Sequence, residues 1–283
     1  MSKLVLGTVQ FGLKYGINNQ SGIPGDFELK EIFLKANQCG IDILDTAQGY
    51  GDAEERIGVL SGNLFKVISK FKYSESTLSF REEFQKSLRK LRTEKLYGYM
   101  AHDADLLIEN PFWWQELQIA KEQGLVEKIG YSLYSVKQLE SLLTKQMFPD
   151  IIQVPYNILD RRFESFLPEL ASMEVEIHTR SVYLQGLLQM NPYKIPSQLV
   201  SLKPYLLRIR EIAKNELLSM SELCLGFVVN NPYVNKVVIG IDNLTQLADN
   251  IRIYESVNLL QKTVPELYTI EVEDIHLLNP STW

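Results

Sequence analysis

The sequence is poor in cysteine and contains no long apolar run. Its 283 residues include two cysteines, Cys39 and Cys224, which lie far apart and match no metal-ligand spacing. We expect both to be buried free thiols, which fits a reduced, cytoplasmic compartment. No stretch approaches the roughly 18 consecutive apolar residues that a membrane-spanning helix needs. The amino terminus also lacks the apolar core of a signal peptide. The sequence therefore predicts a cytoplasmic protein with no membrane partner.

Basic residues are outnumbered by acidic ones. The chain has 29 Lys and Arg residues against 35 Asp and Glu residues, which gives a net charge of −6. No basic stretch offsets this balance, so we expect no nucleic-acid partner. Internal repeats, linkers and low-complexity tracts are also missing from the sequence, and we predict one domain over residues 1–283.

Apolar runs of strand length recur along the chain and alternate with segments of helical periodicity. The runs are almost continuously apolar, which is typical of parallel strands covered on both faces. At this chain length, eight such strands predict a closed (β/α)8 barrel or a doubly wound open sheet. The predicted strands are Leu4–Leu6, Ile41–Leu44, Leu64–Ile68, Leu96–Met100, Lys128–Tyr131, Ile151–Val154, Val175–Ile177 and Val237–Ile239.

Helical segments lie between most of the predicted strands. In Asp26–Ala36 the apolar residues recur at helical spacing, and Gly40 follows as a stop signal. The last interval between strands is longer than the others, so we expect an extra helix or loop insert between strands 7 and 8, and a carboxyl-terminal tail after strand 8. The remaining predicted helices are a segment that begins after Asp52 as its cap, Ser76–Arg92, Pro111–Gly124, Ser135–Gln146, Leu202–Ala213, Met220–Val229 and Gln246–Leu259.

Three polar residues follow successive predicted strands. Asp45, Lys70 and His102 stand at the carboxyl ends of strands 2, 3 and 4, and Tyr50 lies in the loop after strand 2. Neighbouring parallel strands lie under about 5 Å apart, and the carboxyl ends of barrel strands form the mouth of an active site. We therefore expect these four side chains to meet.

The four side chains suggest acid–base chemistry at a carbonyl group. A lysine paired with a buried aspartate keeps its positive charge, and that charge stabilises a nearby phenolate, so we expect Lys70 to lower the pKa of Tyr50. Such a tyrosine can exchange a proton with a carbonyl oxygen, which His102 can orient. The set contains no nucleophile and no metal site, and the simplest additional component is a hydride-carrying cofactor.

Asp45, Tyr50, Lys70 and His102, in this order and at these strand ends, resemble the catalytic tetrad of the aldo-keto reductase superfamily. The stretch Asp45-Thr46-Ala47-x-x-Tyr50-Gly51-x-Ala53-Glu54 matches its best-known signature. Other segments that resemble the family are spread along nearly the whole chain, at residues 6–12, 129–132, 153–161, 181–188 and 239–250.

The resemblance implies a (β/α)8 TIM barrel and reversible reduction of an aldehyde or ketone to the alcohol with NAD(P)H. In that reading Tyr50 is the general acid, Lys70 lowers its pKa, Asp45 holds Lys70, and His102 orients the substrate carbonyl. The alternative Rossmann reading is poor, because Glu54 stands where a dinucleotide fingerprint has its third glycine.

The same resemblance implies a set of cofactor contacts. Ser132 and Gln153 match the positions that bind the nicotinamide carboxamide, and Ser181 and Gly186 fall in the loop that meets the pyrophosphate. Arg180 replaces an aromatic residue that stacks on the nicotinamide in many members, and its guanidinium plane could stack in the same way.

The adenosine end departs further from the family pattern. Asn250 matches the adenine contact, with Asp249 beside it. Where many members place a basic residue for the 2′-phosphate of NADP, this chain has Gly240, Asp242 and Gln246. NADP(H) is the first choice, because it is the usual cofactor of the family and Arg252 is a candidate substitute for the missing basic residue. NAD(H) is the alternative, because Asp242 would repel a phosphate.

Two other functional classes remain open. One is a non-catalytic or regulatory relative that binds the cofactor without turnover, and a weaker one is a lyase or isomerase that uses Lys70 as a Schiff base. The partner expected for the reductase is a small-molecule carbonyl substrate, sugar-like or aromatic, and the oligomeric state is left open by the sequence. The segments expected to shape its pocket are Phe11–Gly25, Asp103–Trp114, Tyr183–Pro204 and Thr269–Trp283.

Overall fold

Eight parallel strands form a closed barrel in the order of the chain. The computed structural model describes residues 2–72, 79–260, 263–280 and 283. Each strand pairs with the next, and the last pairs with the first, which confirms the (β/α)8 prediction over the open sheet. The strands are β1 Leu4–Gly7, β2 Ile43–Asp45, β3 Lys66–Phe71, β4 Leu96–Ala101, β5 Val126–Ser132, β6 Ile151–Pro155, β7 Glu176–Arg180 and β8 Lys236–Gly240.

The helices surround this barrel, and the extra insert after β7 is confirmed. The insert contains two 3₁₀ turns and two helices, and the tail contains two further 3₁₀ turns. Ser76, the predicted start of the helix before β4, lies outside the described residues. The helices are α1 Val9–Gly12, α2 Asp26–Gln38, α3 Ala53–Leu60, α4 Phe80–Leu91, α5 Asp105–Glu109, α6 Phe112–Glu122, α7 Val136–Thr144, α8 Leu167–Ser172, α9 Lys203–Asn215, α10 Met220–Val229 and α11 Leu244–Leu260.

Serine residues define where three of the helices begin. The Ser79, Ser135 and Ser219 side chains accept a hydrogen bond from the backbone N–H of the third residue of α4, α7 and α10. The Glu or Gln side chain of that third residue accepts in return from the serine N–H, which completes a capping box. These reciprocal bonds satisfy backbone donors that no helical carbonyl can reach.

The barrel interior changes from apolar to polar along its axis. An apolar cluster inside the barrel is formed by Val5, Ile43, Ile68, Met100 and Ile151. Asp45, Lys70, His102 and Gln153 each lie two positions beyond a member of this cluster. Because strand side chains alternate between faces, these polar residues continue the same interior face toward the carboxyl ends of the strands. The fold therefore brings the predicted site residues together next to this apolar cluster.

No described helix has the length and apolar character that crossing a membrane would require. Both cysteines are free thiols; Cys224 is buried, as expected, whereas Cys39 is only partly buried.

Candidate active site

A cavity of about 740 Å³ opens at the carboxyl ends of the strands. Asp45, Tyr50 and His102 line it, and Lys70 lies wholly buried beside Asp45. The structure also brings every predicted cofactor contact to the wall of this cavity. These residues are Ser132, Gln153, Arg180, Ser181, Gly186, Gly240, Asp242, Gln246, Asp249 and Asn250.

Asp45 and Lys70 form a buried ion pair. Lys70 Nζ donates to Asp45 Oδ1 at 2.6 Å and to the Thr46 carbonyl oxygen at 3.1 Å. The second oxygen of the carboxylate, Oδ2, accepts from Gln153 Nε2 at 2.8 Å. Burial lowers the pKa of Lys70, and the charge and hydrogen bond of Asp45 oppose that effect. Both charges are thus paired where they are shielded from water, as a buried ion pair requires.

Tyr50 lies next to this pair, with Lys70 Nζ 5.5 Å from the centre of its ring. Burial, followed by the Asp45 charge, raises the pKa of Tyr50 well above its ordinary value, whereas the Arg180 charge lowers it. The prediction of a lowered pKa is therefore wrong for this structure. The physical reason is that burial disfavours the charged phenolate and that the Asp45 carboxylate, which lies beside it and holds Lys70 at 2.6 Å, repels that charge. Tyr50 consequently holds its proton at neutral pH.

His102 follows β4 and packs edge-on against Tyr50. The two ring centres are 5.5 Å apart, and the ring planes are at 85°. Burial, together with the charges of Lys70, Arg180 and Lys72, lowers the pKa of His102 to about 3. The imidazole is therefore neutral at physiological pH and carries one N–H donor and one acceptor nitrogen. A neutral donor beside a phenol is suited to holding a carbonyl oxygen.

Ser132 and Gln153 stand side by side on neighbouring strands. They are partners in the register of β5 and β6; Ser132 is the last residue of β5, and Gln153 is the third of the five residues of β6. The Gln153 amide nitrogen is bound to Asp45, which leaves its oxygen as an acceptor beside the Ser132 hydroxyl. A carboxamide needs one acceptor and one donor of this kind, so the pair fits the predicted nicotinamide contact.

The loop after β7 has an unusual backbone. Ser181, Leu184, Gln185 and Gly186 have φ angles of 65°, 48°, 53° and 87°, in the left-handed region that residues other than glycine rarely adopt. Strain of this kind clusters at ligand-binding sites, where the surrounding structure holds it in place. The loop also approaches the segment after α1 closely, since a Cβ atom on Gly186 would lie 2.9 Å from Asn18 Cβ. Both segments line the cavity, which suits a long ligand held beneath them.

The far end of the cavity is formed by α11 and the start of α10. Gln246 pairs with Asp242 through two hydrogen bonds, at 2.8 and 3.2 Å, and Tyr183 Oη donates to Asn250 Oδ1 at 2.8 Å. The exposed Arg252 is the one cation of the described lining at this end, and it pairs with Asp249 at 3.3 Å.

Acidic groups therefore outnumber basic ones at the far end. Asp242, Asp249 and Glu222 line the cavity there, against the single guanidinium of Arg252. Like charges repel strongly where solvent is partly excluded. The described lining at this end therefore carries more negative than positive charge.

Several cavity residues were missed by the sequence analysis. Tyr15 and Gln185 fall inside segments that were expected to shape the pocket, but Gln10, Tyr134 and Glu222 were not predicted. The sequence could have indicated Tyr134, because it lies two positions after Ser132 and residues at this spacing share one face of a strand.

The segments expected to shape the pocket contribute unequally. The segments Phe11–Gly25 and Tyr183–Pro204 both supply lining residues, and the tail supplies Pro280. No residue of Asp103–Trp114 is among the described lining, because α5 and α6 direct Leu107, Trp113 and Trp114 into the core instead. Residues 281 and 282 of the tail lie outside the described residues.

The sequence profile of the aldo/keto reductase family matches residues 3–271. The chain is 25% identical over 275 residues to the uncharacterised oxidoreductase YqkF of Bacillus subtilis, covering 87% of this chain and 88% of that protein. It is 28% identical over 229 residues to NADH-specific methylglyoxal reductase of Escherichia coli, covering 66% of this chain and 69% of that protein. Among solved structures, an aldo-keto reductase from Bacillus halodurans in its holo form shares the barrel fold, with a TM-score of 0.71, 20% identity and 93% coverage of each chain.

Proposed function

The chain belongs to the aldo/keto reductase family, and on that premise we propose that it reduces an aldehyde or ketone to the alcohol with a nicotinamide cofactor, using Tyr50 as the proton donor. One observation carries the proposal. Tyr50, His102 and the buried Asp45–Lys70 pair meet at one end of the cavity, where a carbonyl oxygen could contact both Tyr50 and His102.

Each residue at this end of the cavity has its own role in the proposed reaction. A reduced nicotinamide bound along the cavity would supply the hydride, and Ser132 and Gln153 would hold its carboxamide. His102 donates a hydrogen bond to the substrate oxygen and fixes its direction. Tyr50 donates its proton to that oxygen as negative charge develops there, so the carbonyl gains one hydride and one proton.

The electrostatics support Tyr50 as a protonated donor, and nearby charges stabilise the phenolate that it becomes after the transfer. The raised pKa of Tyr50 ensures that the phenol carries a proton at neutral pH. The phenolate formed after the transfer is stabilised by nearby cations, and Arg180 is the one whose charge favours it in this structure. Lys70, which Asp45 holds within 5.5 Å of the Tyr50 ring centre, is the second cation at hand.

We favour NAD(H) over NADP(H) as the cofactor. The predicted position of the 2′-phosphate is flanked by Asp242, and the far end of the cavity is acidic on balance. Asp242 can accept hydrogen bonds from a ribose hydroxyl but would repel a phosphate. The sequence-based first choice, NADP(H), stays an untested prediction. The negative charges at the far end of the cavity argue against it.

Cofactor binding and turnover, measured separately, test the proposal. Purified protein should bind NADH in a fluorescence titration, and should then oxidise it when given aldehydes. The panel should include methylglyoxal, because the Escherichia coli relative is a methylglyoxal reductase. NADPH at the same concentration should bind at least about tenfold more weakly, the ratio that 1.4 kcal/mol of repulsion produces.

Two results would contradict the proposal in different ways. NADH binding with no oxidation by any aldehyde or ketone would support the regulatory, non-catalytic alternative. Failure to bind either nicotinamide cofactor would remove the hydride source, and the oxidoreductase assignment with it.

A further inference from the structure

An unpaired cation stands at the reactive end of the cavity. Arg180 ends β7 and lines the cavity, and no carboxylate of the described residues forms an ion pair with it. Asp45, the one acidic residue of the described lining at this end, is already paired with Lys70. The charge of Arg180 also lowers the pKa of the buried Asp160, but that carboxylate is bound by Arg162. Arg180 therefore has no carboxylate partner of its own among the described residues.

Arg180 is held firmly on one side. Its guanidinium carbon lies 4.4 Å from the centre of the Tyr134 ring, and its Nη2 donates to the Leu133 carbonyl oxygen at 3.0 Å. A guanidinium has five N–H donors in a planar fork, so one carbonyl and one ring face use only part of its capacity. The group is oriented in advance, and donors remain for a ligand in the cavity.

Arg180 is also close to the reacting groups. Its charge lowers the pKa values of both Tyr50 and His102, which places it within electrostatic reach of the two side chains that contact a carbonyl oxygen. Its charge also lowers the pKa of Tyr15, an uncharged residue of the cavity wall. Tyr15 and Gln185 line the cavity and are joined to each other at 2.9 Å.

We propose that Arg180 binds a carboxylate carried by the carbonyl substrate, so that the preferred substrates are aldehyde or keto acids. This inference rests on the proposed function and adds the substrate class. A single unpaired cation matches a singly charged group, and the planar fork of a guanidinium matches the two oxygens of a carboxylate. Tyr134 holds that fork in place while the substrate carbonyl reaches Tyr50 and His102.

The proposal differs from the role implied by the family resemblance, in which Arg180 stacks on the nicotinamide. The guanidinium carbon already lies over the Tyr134 ring. The substrate role predicts that loss of Arg180 acts on charged substrates selectively. The stacking role predicts that the same loss weakens cofactor binding and slows all substrates alike.

A matched pair of aldehydes separates the two roles. The substrates are para-carboxybenzaldehyde and para-methylbenzaldehyde, which differ in charge at one position. The wild-type protein should prefer the carboxylate, and Arg180→Met should lower the ratio of the two kcat/KM values by about 10- to 100-fold, the effect of losing one charge-assisted hydrogen bond. Arg180→Lys should restore part of that ratio. Arg252→Met, which removes the other cation of the cavity wall, should keep the wild-type ratio.

A binding measurement keeps this test independent of turnover. Calorimetry with benzoate and with uncharged benzamide, on the protein saturated with NADH, should show benzoate binding that Arg180→Met weakens and benzamide binding that it does not. This difference should persist even if no aldehyde is reduced, in which case the proposed reaction fails and the carboxylate site stands. Equal benzoate affinity in wild type and Arg180→Met overturns the proposal. Equal loss of activity with both aldehydes, accompanied by weaker NADH binding, also overturns it and assigns Arg180 to the cofactor.

Discussion

Asp45 illustrates what a single position contributes to this site. One of its oxygens binds Lys70 and the other binds Gln153, so it joins the proposed acid–base group to a proposed cofactor contact. The order of Asp45, Tyr50, Lys70 and His102 in the sequence was enough to predict that they meet. Their pKa values were not predictable in this way, because these depend on burial and on Arg180, which is distant in sequence.

Removal of Asp45 should destabilise the protein. Asp45→Ala leaves the Lys70 ammonium buried without its counter-charge, and breaking a buried pair in this way costs about 3 to 5 kcal/mol. Urea unfolding followed by circular dichroism would measure the loss. Asp249→Ala is the matched control, because Asp249 pairs with an exposed Arg252, and such a surface pair is worth about 1 kcal/mol or less. Equal losses in the two variants would contradict the role of Asp45 as the partner of a buried charge.

His102 should make the folded protein sensitive to mild acid. Its pKa in the folded chain is about 3, whereas an unfolded histidine titrates near about 6.5. Between these two values the unfolded chain binds a proton that the folded chain does not, so folding stability falls as the pH falls through this window. At about pH 5 the loss amounts to about 1 to 2 kcal/mol.

His102→Gln should remove that part of the pH dependence. The free energy of unfolding would be measured by urea at about pH 7.5 and at about pH 5. Its decrease between these two pH values should be smaller in the variant than in the wild type, by about 1 to 2 kcal/mol. An unchanged difference between the two pH values would show that His102 titrates normally in the folded protein.

At the scale of elements, strand periodicity explains why the site could be found. All eight strands were predicted with boundaries shifted by a few residues. Asp45 ends β2 and His102 follows β4, as predicted, whereas Lys70 lies inside β3, one residue before its end. The short helices α1, α5 and α8 were not predicted, because four to six residues are too few to establish a helical period.

The contact between α3 and α4 depends on a glycine. A Cβ atom on Gly58 would lie 2.1 Å from the Lys90 carbonyl oxygen, so any side chain there would force the two helices apart. Gly58→Ala should destabilise the protein by about 1 to 3 kcal/mol despite the better helix propensity of alanine. Val59→Ala is the control, since Val59 is exposed on the same helix. Thermal unfolding of both variants checks this, and a Gly58→Ala variant as stable as Val59→Ala would refute the close packing.

At the scale of the whole molecule, closure of the barrel was the hardest feature to predict. Residue periodicity indicated parallel strands covered on both faces, and it left the barrel and the open sheet as alternatives. The deciding contact pairs β1 with β8, from opposite ends of the chain. No local sequence pattern indicates a contact between strands so far apart in the chain. Only the family resemblance favoured a closed barrel. The far end of the cavity was similarly beyond local prediction, since Glu222 reaches it from the insert.

Cofactor binding should stabilise the whole fold. A ligand that binds only the folded state at about 100 times its Kd adds about 2.7 kcal/mol to the free energy of unfolding. NADH should therefore raise the Tm measurably, and NADPH at the same concentration should raise it less. Asp242→Asn should narrow the difference between the two cofactors, because it removes a carboxylate from the predicted phosphate position. A larger shift with NADPH than with NADH in the wild-type protein would contradict the preference for NAD(H).

The most direct test of Tyr50 as proton donor is a single-turnover measurement with NADH deuterated at the transferred position. Wild-type protein should deliver one deuterium to the carbonyl carbon of the substrate. Tyr50→Phe should bind NADH with unchanged affinity but react at least about 100-fold more slowly, the lower limit expected for loss of a general acid. Tyr15→Phe, which removes another phenol from the same cavity wall, should slow the reaction far less. A product without deuterium, or a Tyr50→Phe variant that reacts at the wild-type rate, would contradict the proposed reaction.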